Sequence, residues 1–317
     1  MAGVIALGEC MVELSLTVGG SGGDSGGNSG GDSGGGSAAI GYAGDTYNTA
    51  VYMRRLGLEV AYASAVGAGD PFSAGIVASL TDEGISQALM VRAQGRLPGL
   101  YAIRPDASGE RSFFFWRSES PARDYLQLVD LAALRAAFEA ANLIVISAIT
   151  LAVIGEAGRA TLTPLLAEAA ALGVAVAFDS NYRVALWAGP EVGRAAIEAV
   201  LPHCRYLSLS SDDVAAFGGR SAALARTWAA RGVEVVLRHA DHRIEVLSGA
   251  GAELFPRGPA LDPVVDTTGA GDSFNAAYLA TRLSGGSAAD GVAAGRRLAA
   301  VVVGHRGAII PREAMPD

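Results

Sequence analysis

Cysteine is nearly absent from this chain: Cys10 and Cys204 stand alone, with no C-x-x-C pair and no histidine at partner spacing. A disulfide framework is therefore not expected, and reduced thiols in a cytosolic protein are. Histidine is equally scarce, with four scattered residues, so a metal site built from side chains alone is not expected either. No block of Lys or Arg occurs, and the net charge is −8 with a pI of about 5.1. That balance argues against nucleic acid or an anionic membrane as partner. No apolar run is long enough to cross a bilayer, since the longest, near Leu143–Ile154, falls well short of the roughly 20 residues required. The N-terminal apolar run has no basic segment before it and is broken by Glu9, so a secretory signal is not expected. A soluble cytoplasmic protein is the expectation.

Half of the residues are apolar, aromatics are only 7%, and Ala and Gly are abundant, so helices can pack closely on a sheet. The length of 317 residues suits one large α/β domain with an insertion, spanning 1–317. Short apolar runs alternate with segments of helical period, the pattern of a βα series and a parallel sheet. Val4–Leu7, Val60–Ala65, Leu143–Ser147, Val174–Phe178, Tyr206–Leu209 and Val233–Leu237 read as buried strands, and Thr46–Leu56 as a helix. Gly57, Gly173 and Gly232 fall between a helix and the next strand, where a C-terminal cap is needed. Leu100–Ile103 and Ser112–Trp116 break the rhythm and read as a β-hairpin across Asp106–Gly109.

Gly19–Ser37 is a four-residue repeat of Gly, Ser, Asp and Asn. It has no side chains to bury and maximal backbone entropy to lose. As a flexible coil its ends would lie about 20–25 Å apart, enough to loop out between two strands. Its aspartates recur every eight residues, out of step with the nine-residue calcium-binding repeat. A flexible surface insertion without a catalytic role is expected.

The richest segment in chemical information is Asp266-Thr267-Thr268-Gly269-Ala270-Gly271-Asp272-Ser273-Phe274. A hydrophobic approach, Pro263–Val265, enters a tight glycine turn, and an Ala-rich helical stretch runs on to Leu283. The amides of Gly269, Ala270, Gly271 and Asp272 then lie at a helix N-terminus, where unpaired donors and the macrodipole favour an anion. Asp272 is either an N-terminal cap or a general base that takes a proton from a hydroxyl attacking a phosphoryl group. The run is neither a dinucleotide fingerprint, because Phe274 occupies the third glycine position, nor a P-loop.

This segment resembles the C-terminal signature D-T-T-G-A-G-D-x-F of the PfkB (ribokinase-like) carbohydrate kinases. The resemblance implies a ribokinase-like three-layer αβα fold, with a mostly parallel central sheet and a small β-lid drawn from about 10–44 and 96–117. It also implies a kinase that binds a small carbohydrate and ATP, with Asp272 as base and Gly269, Ala270 and Gly271 stabilising the transferred phosphoryl group. Magnesium arrives with the nucleotide. Asp266 matches the position that contributes to a monovalent-cation site, implying K+; its alternative is a turn-forming Asp bonded to nearby amides. Gly44-Asp45-Thr46-Tyr47-Asn48 resembles the N-terminal substrate motif of sugar kinases, in which Asp45 and Asn48 hold vicinal hydroxyls. Either Asp45 or Thr46 could instead cap the following helix, and for Thr46 capping is favoured.

Further runs resemble the branch of this family that acts on 2-keto-3-deoxygluconate: Gly8–Leu14, Arg96–Tyr101, Gly109–Arg117, Asp179–Arg183 with Leu186-Trp187, and Arg306–Pro316. The resemblance covers nearly the whole chain except the glycine insertion. A sugar acid needs a cation, and Arg183, just beyond a strand end, can grip a carboxylate through two parallel hydrogen bonds; its alternative is an ion pair with Asp179. Tyr101 either contacts the sugar or fills the lid, and Arg117 either contacts phosphate or makes a lid salt bridge.

The nucleotide side departs from the family. Ser210-Ser211-Asp212-Asp213 replaces an Asn-x-x-Glu run, and Leu237-Arg238-His239 replaces a Lys-Arg-Gly turn. Ser210 and Arg238 are the side-chain candidates for nucleotide contact, alongside the Gly269 and Gly271 amides. Two other readings stay open: a PfkB kinase for another sugar, and a catalytically weak sugar-acid sensor. The epimer preference and the oligomeric state, homo-oligomer included, are also open.

Overall fold

The computed structural model describes residues 3–17, 37–105, 111–259 and 263–316. Thirteen strands are present among them: β1 Val4–Leu7, β2 Met11–Thr17, β3 Ser37–Ala43, β4 Val60–Ala68, β5 Met90–Gln94, β6 Leu100–Pro105, β7 Arg111–Trp116, β8 Leu143–Ser147, β9 Ala175–Asp179, β10 Tyr206–Ser210, β11 Glu234–Arg238, β12 Ile244–Ser248 and β13 Gly251–Phe255. Nine of them form one sheet in the order β13-β12-β11-β10-β9-β8-β1-β4-β5. Every pairing from β11 to β5 is parallel, and only β11-β12-β13 run antiparallel.

Alternation along the central strands sorts their side chains into two cores. Ile5, Leu7, Ile144, Ile146, Val176 and Phe178 face one layer of helices, including Leu131–Glu139 and Gly155–Ala171. Val4, Ala6, Leu143, Val145, Ala175 and Ala177 face the other, which holds the helices Asp45–Arg55, Pro71–Asp82, Ala270–Leu283 and Ala288–Val303. Because both faces are covered, the central strands are near-continuous apolar runs, which is why they read clearly from sequence. This is the three-layer αβα arrangement expected. The capping glycines Gly57, Gly173 and Gly232 all adopt φ near +90°.

The edge strands β5 and β13, and β12 next to β13, were not anticipated. Each lacks an unbroken apolar run, and β13 is largely exposed. The remaining four strands form a separate small sheet in the order β3-β2-β6-β7. Here β2 pairs parallel with β6, and β3 and β7 flank them antiparallel. The glycine-rich insertion, Ser37 apart, and the hairpin turn at 106–110 lie outside the described residues. A short ion pair between Arg117, just after β7, and the buried Glu9, just after β1, ties this small sheet to the large one.

Close helix packing fixes the position of the Ala270–Leu283 helix. Gly291 and Gly295 lie against the rings of Tyr278 and Phe274, where an added Cβ would stand 2.8 and 2.6 Å from ring carbons. The hydroxyl of Tyr278 donates to Glu234 at 2.6 Å, anchoring the helix to β11. Among the described residues, no helix is long and apolar enough to cross a membrane.

Candidate active site

The carboxyl edge of the parallel sheet supplies the floor of the site, as open α/β sheets require. Asp179, Ser210 and Arg238 are the last residues of the adjacent strands β9, β10 and β11. The Asp45–Arg55 helix brings Asp45 and Asn48 from one side, and the Ala270–Leu283 helix brings Asp272 from beneath. Together with Gly44, Tyr101, Arg183, Gly269 and Gly271, these residues line one cleft of about 700 Å³. Every side chain and glycine assigned to sugar or nucleotide from sequence therefore meets in one place. Ala270 lies apart, lining an adjoining hollow. Asp266 is buried.

Asp272 occupies the third position of its helix, and Gly269 is the N-cap, in the left-handed region at φ 77°. A Cβ on Gly269 would stand 2.5 Å from the carbonyl oxygen of Ala308, so both conformation and space demand glycine. No side chain caps this helix, which answers the capping alternative for Asp272. The Ala270 amide donates to Thr267 at 3.3 Å, while those of Gly269, Gly271 and Asp272 have no acceptor among the described residues. Donors left open in this way at a helix start form an anion-binding cradle. Beside it, an added Cβ on Gly271 would stand 2.7 Å from Nη1 of Arg238. The Nε of Arg238 is buried with no partner among the described residues, a further donor awaiting an acceptor.

Asn48 is buried, and its Nδ2 donates to Oδ2 of Asp272 at 2.7 Å. Asp45 accepts from Nδ2 of Asn181 at 3.0 Å and from the amide of Thr46 at 2.8 Å. Asp179 accepts from Nδ2 of Asn275 at 2.9 Å and from Nη2 of Arg238 at 3.2 Å, and Asn275 in turn accepts from Ser208 at 2.8 Å. Burial pushes the Asp272 carboxyl up to about 8, and the neighbouring charges of Asp45 and Asp179 push the same way; the Asn48 bond and Arg238 oppose this. Burial likewise raises Asp179 to about 6 against the pull of Arg238.

Several alternatives left open by the sequence are resolved here. Thr46 does not cap its helix; Gly44 is the N-cap, and the Thr46 hydroxyl packs inward, 3.2 Å from that of Tyr62. Gly44 also admits no Cβ, which would stand 2.1 Å from the carbonyl oxygen of Glu9. Arg183 makes no ion pair with Asp179, whose partner is Arg238; it is exposed at the cleft and has no partner among the described residues. Arg117 makes the salt bridge with Glu9. Tyr101 is buried in the small sheet, donates a short hydrogen bond to Glu13, and stacks on Phe115 at 5.7 Å. Phe113 and Phe115 continue that stack along the cleft and are about half exposed. The Asp266 carboxylate accepts from the Thr268 amide and hydroxyl and from the Gly307 amide at 2.7–3.0 Å, the bonds of a turn-forming Asp.

Asn181, Asp179 and Asn275 escaped assignment from sequence. The first two had a signal, since they follow a predicted strand at its carboxyl end. Asn275 stands three residues after Asp272 on a helix, which places it beside that residue.

The chain matches the family described as pfkB family carbohydrate kinase over residues 1–315. It is 38% identical over 325 residues to a 2-dehydro-3-deoxygluconokinase of Dickeya dadantii, covering 99% of this chain and 98% of that protein. It is likewise 38% identical over 326 residues to a 2-dehydro-3-deoxygluconokinase of Escherichia coli K12, with the same coverage. Its fold is similar to that of an E. coli protein assigned as ribokinase II and solved in complex with ATP and Mg2+: TM-score 0.79, 21% identity, covering 100% of this chain and 96% of that one.

The Asp272 carboxyl gives a direct stability test. Its folded pKa lies above the ordinary carboxylate value of 3.8, so the stabilisation it supplies is full below about pH 4 and is lost as pH rises to about 8. Asn cannot titrate, so Asp272→Asn should gain stability relative to the native protein across that window, by at most on the order of 5 kcal/mol, less after solvent screening in the open cleft. Urea unfolding of both proteins from acid to mild alkali measures the difference. A gap that does not change with pH would refute the assignment.

Proposed function

The chain belongs to the pfkB family of carbohydrate kinases, and from that premise we propose that it transfers the terminal phosphoryl group of ATP to the C6 hydroxyl of 2-keto-3-deoxygluconate, the 2-dehydro-3-deoxygluconate of its relatives' names. The observation that carries this reading is the position of Asp272, a carboxylate on the cleft floor beside three open amides and the orphaned Nε of Arg238. Likeness over full length to 2-dehydro-3-deoxygluconokinases supports the choice of acceptor.

The residues divide the work as follows. Asp45 and Asn48 hold sugar hydroxyls, and Arg183, exposed and without a partner among the described residues, grips the carboxylate. Tyr101, Phe113 and Phe115 roof the sugar side, and their closure on it excludes water as a competing acceptor. The carboxylate of Asp272 takes the C6 proton as the sugar oxygen bonds to phosphorus and the bond to the bridging oxygen of ADP breaks. The amides of Gly269, Gly271 and Asp272, with Arg238, stabilise the charge on the transferring group.

Magnesium, arriving with the nucleotide, supplies further neutralisation of phosphate oxygens. Asp213, which accepts from Ser180 at 2.8 Å, and Ser210 line the cleft where they would hold its water shell. At Asp266 the carboxylate oxygens accept hydrogen bonds from Thr268 and Gly307 and hold the turn before the cradle. The departures at Ser210 and His239 leave the cleft open. Ser210 caps the helix Ser211–Ala216, and Nε2 of His239 lies 3.5 Å from Glu245. No observation favours the sensor reading.

A coupled kinase assay over several sugar acids and neutral sugars, with ATP and magnesium, tests the proposal. Asp272→Asn is expected to lower kcat by about 10²–10⁴-fold while sugar-acid binding persists, and full retained activity would remove the base. Arg183→Leu is expected to erase the preference for carboxylated over neutral sugars. An unchanged preference would move the carboxylate contact elsewhere.

A further inference from the structure

Beside the Gly269–Asp272 turn, a second hollow of about 720 Å³ opens under the β11–β12 hairpin and shares Arg238, His242 and Gly271 with the sugar cleft. It adjoins the phosphate cradle at Gly271 and Arg238, so that a group attached to a phosphate bound there could reach into it. Val264, Phe274 and Val303 give it apolar walls suited to a flat ring. Its ionic lining has one sign. All 24 basic side chains of the sequence are arginine, and five of them line this hollow. No Asp, Glu, Asn or Gln lines it among the described residues.

Several acceptors beside the hollow are already engaged. Asp241, next to it, is bonded to Arg243 at 2.7 Å. On the rim, the carbonyl oxygens of His242, Phe255 and Pro256 accept from Nη2 of Arg296 at 2.6–3.4 Å. Arg257 and Arg297 differ: both are exposed, both line the hollow, and neither has a partner among the described residues. A guanidinium offers donors only, in a planar fork. A 6-aminopurine turns an amino group outward that needs an acceptor, whereas a 6-oxopurine presents O6 and N7, two acceptors that match the fork.

Resting on the kinase reading above, we propose that this hollow is a nucleobase pocket favouring a 6-oxopurine, so that GTP is at least as good a phosphoryl donor as ATP, with Arg257 and Arg297 reading O6 and N7 of guanine. These two are specificity-determining residues and lie outside the phosphate cradle.

The test is kcat/KM for GTP and for ATP at saturating sugar acid, in the native protein and in the double variant Arg257→Ala/Arg297→Ala. Calorimetric titration with the non-hydrolysable analogues GMP-PNP and AMP-PNP, in the absence of sugar, runs alongside. The expected result is a GTP-to-ATP ratio of at least one in the native protein, falling by about tenfold in the double variant, with the two analogues following the same order. A native preference for ATP, or a ratio that the double variant leaves unchanged, overturns the proposal. The titration separates this outcome from failure of the kinase reading: a protein that binds GMP-PNP more tightly but phosphorylates no sugar acid keeps the base preference and loses the function.

Discussion

The hydrogen bond from Asn48 to Asp272 is the contact on which the cleft depends. It joins two helices that lie on the same face of the sheet and, at 2.7 Å, fixes the carboxylate against the floor. It also opposes the strongest force on that carboxylate. Burial and the charges of Asp45 and Asp179 all favour the protonated acid, and Asn48 is the hydrogen bond that favours the anion. A general base placed among other carboxylates needs such a donor if it is to give up its proton near neutrality.

Charge is distributed with economy across the cleft. On the proposed function an acidic chain must bind two anions, and the cleft offers them few cations. Arg238 closes β11 and is held over Gly271 by Asp179, which closes β9. Backbone amides supply the rest of the positive potential without adding side-chain charge. The small sheet contributes aromatic surface to the cleft, and Glu9 engages Arg117 beside it in an ion pair.

What the sequence revealed follows from how local each feature is. The central strands were legible because burial on both faces leaves an apolar run, as in Leu143–Ser147. The cradle was legible because its glycines and Asp272 are contiguous. Asn48 and Asp272 lie 224 positions apart, and no periodicity connects them. For Asp179 the sequence offers Arg183, its near neighbour, only as an alternative partner. The partner is Arg238, because β9, β10 and β11 are successive parallel strands and Arg238, two register positions beyond Asp179, reaches back to it with a long side chain. The capping role expected of Thr46 passed to Gly44 because Tyr62, on the neighbouring strand, draws the hydroxyl inward. The arginines of the second hollow come from β11, the β11–β12 hairpin, the segment after β13 and the helix Ala288–Val303, so only the fold assembles them.

The dependence of kcat/KM on pH addresses the central claim most directly, because it reports the ionisation of the free enzyme. The account requires kcat/KM to rise with pH and level off with an apparent pKa near 8. It also requires that inflection to move upward in Asn48→Ala, where the bond favouring the charged form is lost. A profile flat from about pH 5 to about pH 9, or an inflection that Asn48→Ala leaves in place, would contradict it.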